Sequence, residues 1–285
     1  MLYTTKIDLS VAKQKKLHRS GQALLYDIAK RVRSGYSWWL IQEVAVSKVL
    51  RTVAVLSTKY GTERTSVQRA KDKAKDETAA VLFVWPVRND PAGYTTKFRV
   101  LLLATEHLDG EIMFDARKKP LNVNLYSNRN AVFKLRGSLK DAKKPKLGYE
   151  WDWSLTAQSE QIMRERFMAQ HANPAGLQKL LAAYKSLPMV SGYRRQLLEA
   201  LKATKPAWKK STTPAVSSYK LEVKNGTKPD LFSARYIPYI RGFPKLFNDP
   251  ADTFETYLAA NDKLQKEVRR VQLETVRSQH GGAEL

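Results

Sequence analysis

Cysteine is missing altogether from the 285 residues. Disulfides, thiolate metal sites and thiol nucleophiles are thereby excluded. Histidine is nearly as scarce. His18, His107, His171 and His280 are the four present, and none stands in HxH, HxxxH or HExxH spacing. Neither a metal triad nor a relaxase-type histidine cluster is supported. The patterns GxxxxGK[ST], GxGxxG and GxSxG are absent as well. The expectation is therefore a protein without metal or cofactor and not an enzyme. No run of about 18 uncharged apolar residues exists that would span a membrane. The opening MLYTTKIDLS lacks the long apolar stretch of a signal peptide. These absences point to a cytoplasmic protein with no membrane partner.

Acidic residues are also few, 27 Asp and Glu against 50 Lys and Arg, for a net charge of +23. Apolar residues make up 43% of the chain, enough for a real core. A compact body with that charge repels itself unless polyanions are near. Nucleic acid is the commonest such partner, because each neutralised phosphate releases condensed counterion. The charge is also unevenly placed. Residues 1–75 hold 16 basic and 5 acidic side chains, residues 116–147 hold 10 and 1, and residues 173–225 hold 10 and 2. The intervening stretches 76–115 and 148–172 are acidic. Such blocks predict basic faces for double-stranded DNA, though solvated helix faces would give the same pattern.

Periodicity predicts a mainly α fold with a few short β-strands. Tyr3 to Leu9 alternates as a strand does, and a helix follows from Val11 to about Arg33. Ser37 is placed to cap a second, centrally buried helix from Trp38 to about Tyr60, with Gly61 as its stop. Residues 62–77 read as a surface helix or connection. The run AAVLFVWPV (79–87) reads as a strand. Residues 96–117 fit either a helix or two strands about Asp109-Gly110, and the apolar spacing favours the helix. A basic helix is expected through Ala131, Phe133, Leu135 and Leu139, capped by Ser127. Trp151 and Trp153 introduce a helix from Leu155 to His171. Further helices start at Asn173-Pro174, at 191–203 and at about Asp252, the last ending near Arg277. The polar, proline-bearing stretch 204–217 is the candidate linker. It divides a DNA-binding core at 1–203 from a C-terminal segment at 218–285, where Tyr219 to Val223 reads as a small strand.

The N-terminus fits a ribbon–helix–helix-like element. In that motif a strand from each subunit of a dimer lies in the major groove. Thr4 and Lys6 would face the bases. Gly35-Tyr36-Ser37 would be the interhelical turn, with Ser37 setting the second helix's amides against a phosphate. The first helix is about twice the length the motif uses, and an ordinary helical hairpin fits the same residues. Lys13, Lys15, Lys16 and Arg19 cluster beside the strand, and Lys30, Arg31 and Arg33 form a second group. Lys143 and Lys144, with Lys209 and Lys210, suit phosphate contacts. In the last helix Tyr257, Leu264 and Val271 repeat by seven, as do Asn261, Val268 and Thr275. This seam fits a homodimer with Asn261 setting register, or packing onto the helix's own domain. Glu106, Asp109, Glu111 and Asp115 leave a metal-dependent nuclease as an alternative, or simply a solvated acidic face.

Two stretches, RVRSGYSWWLIQEVAVSKVL (31–50) and KFRVLLLATEHLDGEIMFDARKKPLNV (97–123), resemble the best-marked parts of the AcaB-like family of conjugative plasmids and integrating conjugative elements. The matching residues are Trp38, Trp39, Leu40 and Glu43, then Leu102, Leu103 and Asp109. The likeness covers about half of the chain. It implies a dimeric DNA-binding transcriptional regulator, an activator of transfer genes, associated with the nucleoid or plasmid. A relaxosome or partition accessory protein is the alternative that the same partner would suit.

Overall fold

The structure is a computed structural model that describes residues 8–18, 20–87, 94–125, 131–139, 149–233 and 253–280. Its described elements, in chain order, begin with α1 (Ser10–Lys13), α2 (Gly21–Arg33), β1 (Trp38–Ala45), α3 (Val46–Tyr60) and α4 (Ser66–Ala74). Next come six strands: β2 (Ala80–Val87), β3 (Lys97–Ala104), β4 (Phe114–Asp115), β5 (Leu121–Asn124), β6 (Val132–Leu139) and β7 (Tyr149–Leu155). The helices α5 (Ala157–Ala169), α6 (Pro174–Lys185), α7 (Ser191–Lys210), α8 (Pro214–Lys224) and α9 (Phe254–His280) follow. The fold is mixed α and β, about half helical, with two small antiparallel sheets.

The first sheet has the order β2-β3-β1-β4 and is buried on both faces. On one face Trp39, Val81, Phe83, Trp85, Leu101 and Leu103 join the larger core with α2 and the second sheet. On the other, Leu82, Val84, Phe98, Val100 and Leu102 meet Val49, Val53 and Leu56 of α3, and Phe254 of α9. This double burial explains two departures from the sequence reading. A strand covered on both sides needs apolar residues at every position, so it loses its period of two. WWLI in β1 and VLLLA in β3 therefore mimic all-round apolar helices. The expected helix from Trp38 to Tyr60 is strand β1 followed by helix α3. The helix expected over 96–117 is strand β3, a loop and the short β4, with the turn at Asp109-Gly110 (Gly110 φ +80°).

The second sheet, β5-β6-β7, buries one face only. Phe133 pairs with Leu155 and Leu135 with Trp153, all pointing into the core. Lys134, Arg136 and Ser138 alternate with them on the other face. The basic helix expected here is thus β6. Its apolar positions fall at i, i+2 and i+4, which a helical i, i+4 reading also satisfies. Gly137 lies opposite Trp151, and a Cβ there would come within 2.9 Å of the indole. The indole of Trp153 donates to the Leu25 carbonyl at 2.7 Å, fastening this sheet to α2.

The helices that follow behave more as expected. Thr156 caps α5 by accepting from the Ser159 amide, and Asn173 caps α6 in front of Pro174. The stretch read as a linker, 204–217, is instead the end of α7, a short turn and the start of α8. Pro206 lies inside α7 and Trp208 is buried against Tyr219. Tyr219 to Val223 is helical, not a strand. The last helix, α9, begins two residues later than expected, and its first turns dock on the first sheet. Asn261 accepts from the Thr95 amide and donates to the Thr95 carbonyl at 2.9 Å. Asn261 is therefore committed to its own chain and does not set a dimer register. Among the described residues no helix is long and apolar enough to cross a membrane.

Candidate nucleic-acid interface

The ribbon–helix–helix element is corrected by the structure. Thr4 and Lys6 lie outside the described residues. The single long first helix is two pieces, α1 and α2, because Ser20 caps a fresh start by accepting from the Ala23 amide at 3.2 Å. Gly35 takes a left-handed φ of +93° and leads into a strand rather than a helix. Ser37 is buried, and its carbonyl accepts from the Ala116 amide at 2.8 Å. It caps no helix and offers no amides to a phosphate.

What the fold assembles instead is a cleft of about 300 Å³ beside β2, the outer strand of the first sheet. Val81 to Val84 form its floor. The segment between α1 and α2 supplies Lys15, Lys16 and His18, α2 supplies Asp27 and Arg31, the approach to α4 supplies Glu63 and Arg64, and α4 itself supplies Arg69. Five Lys and Arg thus face two carboxylates. Lys15 pairs with Glu63 at 2.8 Å, Arg64 with Asp72 at 2.8 Å, and Arg31 approaches Asp27 at 3.6 Å. Lys16 is exposed.

At the back of the cleft, His18 Nε2 lies 3.4 Å from Asp27 Oδ2, and its ring packs on Phe83. Asp27 is only 3% exposed. Burial acts to raise its carboxyl pKa, but the hydrogen bond with His18 and the charges of Arg31 and Lys30 prevail and hold it below the ordinary range. The buried carboxylate thereby fixes the orientation of two cleft groups. Arg69 donates to the Arg64 carbonyl. Beside it, Lys73 donates to the Ser34 carbonyl and stands 4.2 Å from the Tyr36 ring. Burial and the charges of Arg31 and Arg69 push the Lys73 ammonium pKa down. Among the described residues, Lys16, Arg69 and Lys73 make no ion pair, while Lys15, Arg31 and Arg64 each have a carboxylate.

The remaining expected contacts are scattered. Lys13 pairs with Glu255 of α9 at 2.9 Å. Lys30 is exposed on α2, while Arg33 points away from the cleft and donates to the Trp151 carbonyl at 2.8 Å. Lys209 and Lys210 end α7, and the Lys209 carbonyl accepts from Lys220 at 3.0 Å. Arg19, Lys143 and Lys144 lie outside the described residues. Arg64 and Arg69 were not singled out by sequence reasoning. Their only signal was a surface-helix pattern with Thr65 and Gln68, which the structure shows as a capping box.

The carboxylates of 106–115 do not share a focus. Glu106 accepts from Thr78 at 3.1 Å, Glu111 takes Lys59 and Tyr60, and Asp115 pairs with Arg117 at 2.8 Å. Among the described residues no group of three or more His, Asp or Glu side chains is arranged to hold a metal ion. Comparison with protein-family models, curated proteins and solved structures gives no match.

Proposed function

We propose that this chain is a non-enzymatic DNA-binding protein that regulates, as an activator, the conjugative transfer genes of a mobile element. The observation that carries the DNA-binding part is the convergence of Lys15, Lys16, Arg31, Arg64 and Arg69 on one cleft. Three separate segments deliver these charges to one place, and Lys16 and Arg69, which make no ion pair among the described residues, are the two a phosphate backbone would satisfy. Contact through phosphates is the mode the cleft suits. No strand ribbon for reading bases is present among the described residues.

The regulatory role rests on the resemblance of residues 31–50 and 97–123 to the AcaB-like family. The two stretches meet in space: Trp39 pairs with Leu103 and Leu40 with Leu102 across β1 and β3. They are core residues, so the likeness concerns the scaffold that carries the cleft rather than the contacts themselves. A second copy of the chain is the proposed partner. The outer half of α9 supports it, with Leu264 and Val271 exposed at heptad spacing.

Chromatin immunoprecipitation with sequencing tests the role. Peaks at promoters support regulation, and a peak at a transfer origin would favour the accessory alternative. Binding of labelled duplex DNA by anisotropy tests the site. Lys16→Gln with Arg69→Gln should weaken it at least tenfold, and an unchanged affinity would remove the cleft from the reading.

A further inference from the structure

We propose that the polar face of β6 and β7 is a second, separate site, one that takes single-stranded nucleic acid. The face forms a groove of about 870 Å³, walled by the C-terminal end of α2 and the first turns of α7. Lys134 and Arg136 project from it on alternate positions of one strand, about 6.7 Å apart for a rise of 3.3–3.4 Å per residue. Arg195 joins them from α7 and Arg33 from α2. Arg33 donates one N–H to the Trp151 carbonyl, and a guanidinium has four more donors to offer. Among the described residues, Lys134, Arg136 and Arg195 make no ion pair.

Two carboxylates also line the groove, and one of them is already occupied. Asp152 accepts from the Ser191 hydroxyl at 2.6 Å and from the Gly192 amide at 3.4 Å. It thus caps α7, whose own N-cap, Val190, has no side chain to do so. Four cations thus face two carboxylates, and one of these, Asp152, is turned to the positive end of the 20-residue α7. Tyr149, 37% exposed, lines the end of the groove from the first position of β7, with its ring turned to the Trp151 side of the sheet at 5.7 Å from that indole. Cations in line along one concave strand face suit one nucleic strand, whose phosphates follow one path.

The groove is distinct from the cleft. Arg31 and Arg33 are two residues apart on α2, about 200° around a helix of 3.6 residues per turn, so they serve opposite sides. The proposal therefore stands or falls apart from the duplex site.

The test is anisotropy with a labelled 20-residue oligo-dT and with a duplex, on wild type, Lys134→Gln/Arg136→Gln, Arg195→Gln and the cleft variant Lys16→Gln/Arg69→Gln. Oligo-dT should bind the wild type, and the β6 double variant should weaken it at least tenfold. Its salt slope should fall by about 1.4 for two lost contacts. Arg195→Gln, at an exposed position, should weaken it at least threefold and guards against a misfolded double variant. Duplex binding should change less than twofold in both, and the cleft variant should show the reverse pattern. Failure of wild type to bind oligo-dT, or equal losses for both ligands, overturns the proposal. So does a polyglutamate peptide binding as tightly as oligo-dT, which would make the groove a charge patch without preference for a nucleic strand.

Discussion

The two sheets are both small and antiparallel, yet they do different work. The β2-β3-β1-β4 sheet is covered on each side, so the proposed cleft lies along an outer strand. The β5-β6-β7 sheet is covered once, and its bare face carries Lys134 and Arg136. Burial thus decides where charge can be displayed. In the first sheet, the cations of the cleft come from helices and loops packed around it. In the second, the strand pleat itself sets them in a row.

The sharpest way to probe this difference is salt. Duplex affinity should fall on the order of a thousandfold between 50 and 200 mM salt if about six phosphates are held. The cleft variant should flatten that response, and the β6 variant should leave it unchanged. A wild-type affinity indifferent to salt would undo the electrostatic account of both regions.

A second probe asks whether the regions share one core. Trp153 is 3% exposed and its indole N–H is satisfied by Leu25 of α2. Trp153→Ala should cost about 3–5 kcal/mol and lower a single cooperative melting transition. Two transitions, with the first sheet unaffected, would show that the regions fold apart.

Acid titration separates the regions more gently. The Asp27 carboxyl is held below its ordinary pKa, so it contributes stability above the unfolded value of about 4 and loses it as pH falls through the folded one. Asp27→Asn should therefore melt below wild type at pH 7, with the gap closing under acid conditions. A gap that does not narrow as pH falls would mean the residue acts by shape and not by charge.

The smallest effect on stability is expected outside both regions. Leu264→Asp with Val271→Asp alters exposed positions of α9 and should shift stability by less than about 0.5 kcal/mol. If the proposed homodimer forms through α9, light scattering should nevertheless show it converted to monomer. A dimer that survives would place the interface elsewhere.

Legibility in the sequence followed local chemistry. The helix start at Asn173-Pro174, the start before α5, the stop at Gly61 and the last helix were readable because caps and prolines act within a few residues. The strand β2 was readable from its β-rich run between turn signals. β1 and β6 were not, and β3 was only one of two readings of its stretch. β1 and β3 are apolar on both faces only because α3, α9 and α2 happen to cover them, and no local signal reports a cover made by distant residues. The end of α7 read as a linker because Lys205, Pro206 and Lys209 look solvated, while Trp208 is buried through Tyr219 and Phe232 further along the chain.

The sequence by itself determined the charge, the missing cysteine and nucleotide-loop chemistry, and the local caps, since each depends on composition or on neighbours in the chain. Which cations meet was decided by tertiary structure alone. Lys15 and Arg69 are 54 residues apart and share a cleft, whereas Arg31 and Arg33, two residues apart, are sent to opposite sides of one helix. Packing, not proximity in sequence, sets the distances over which charges act.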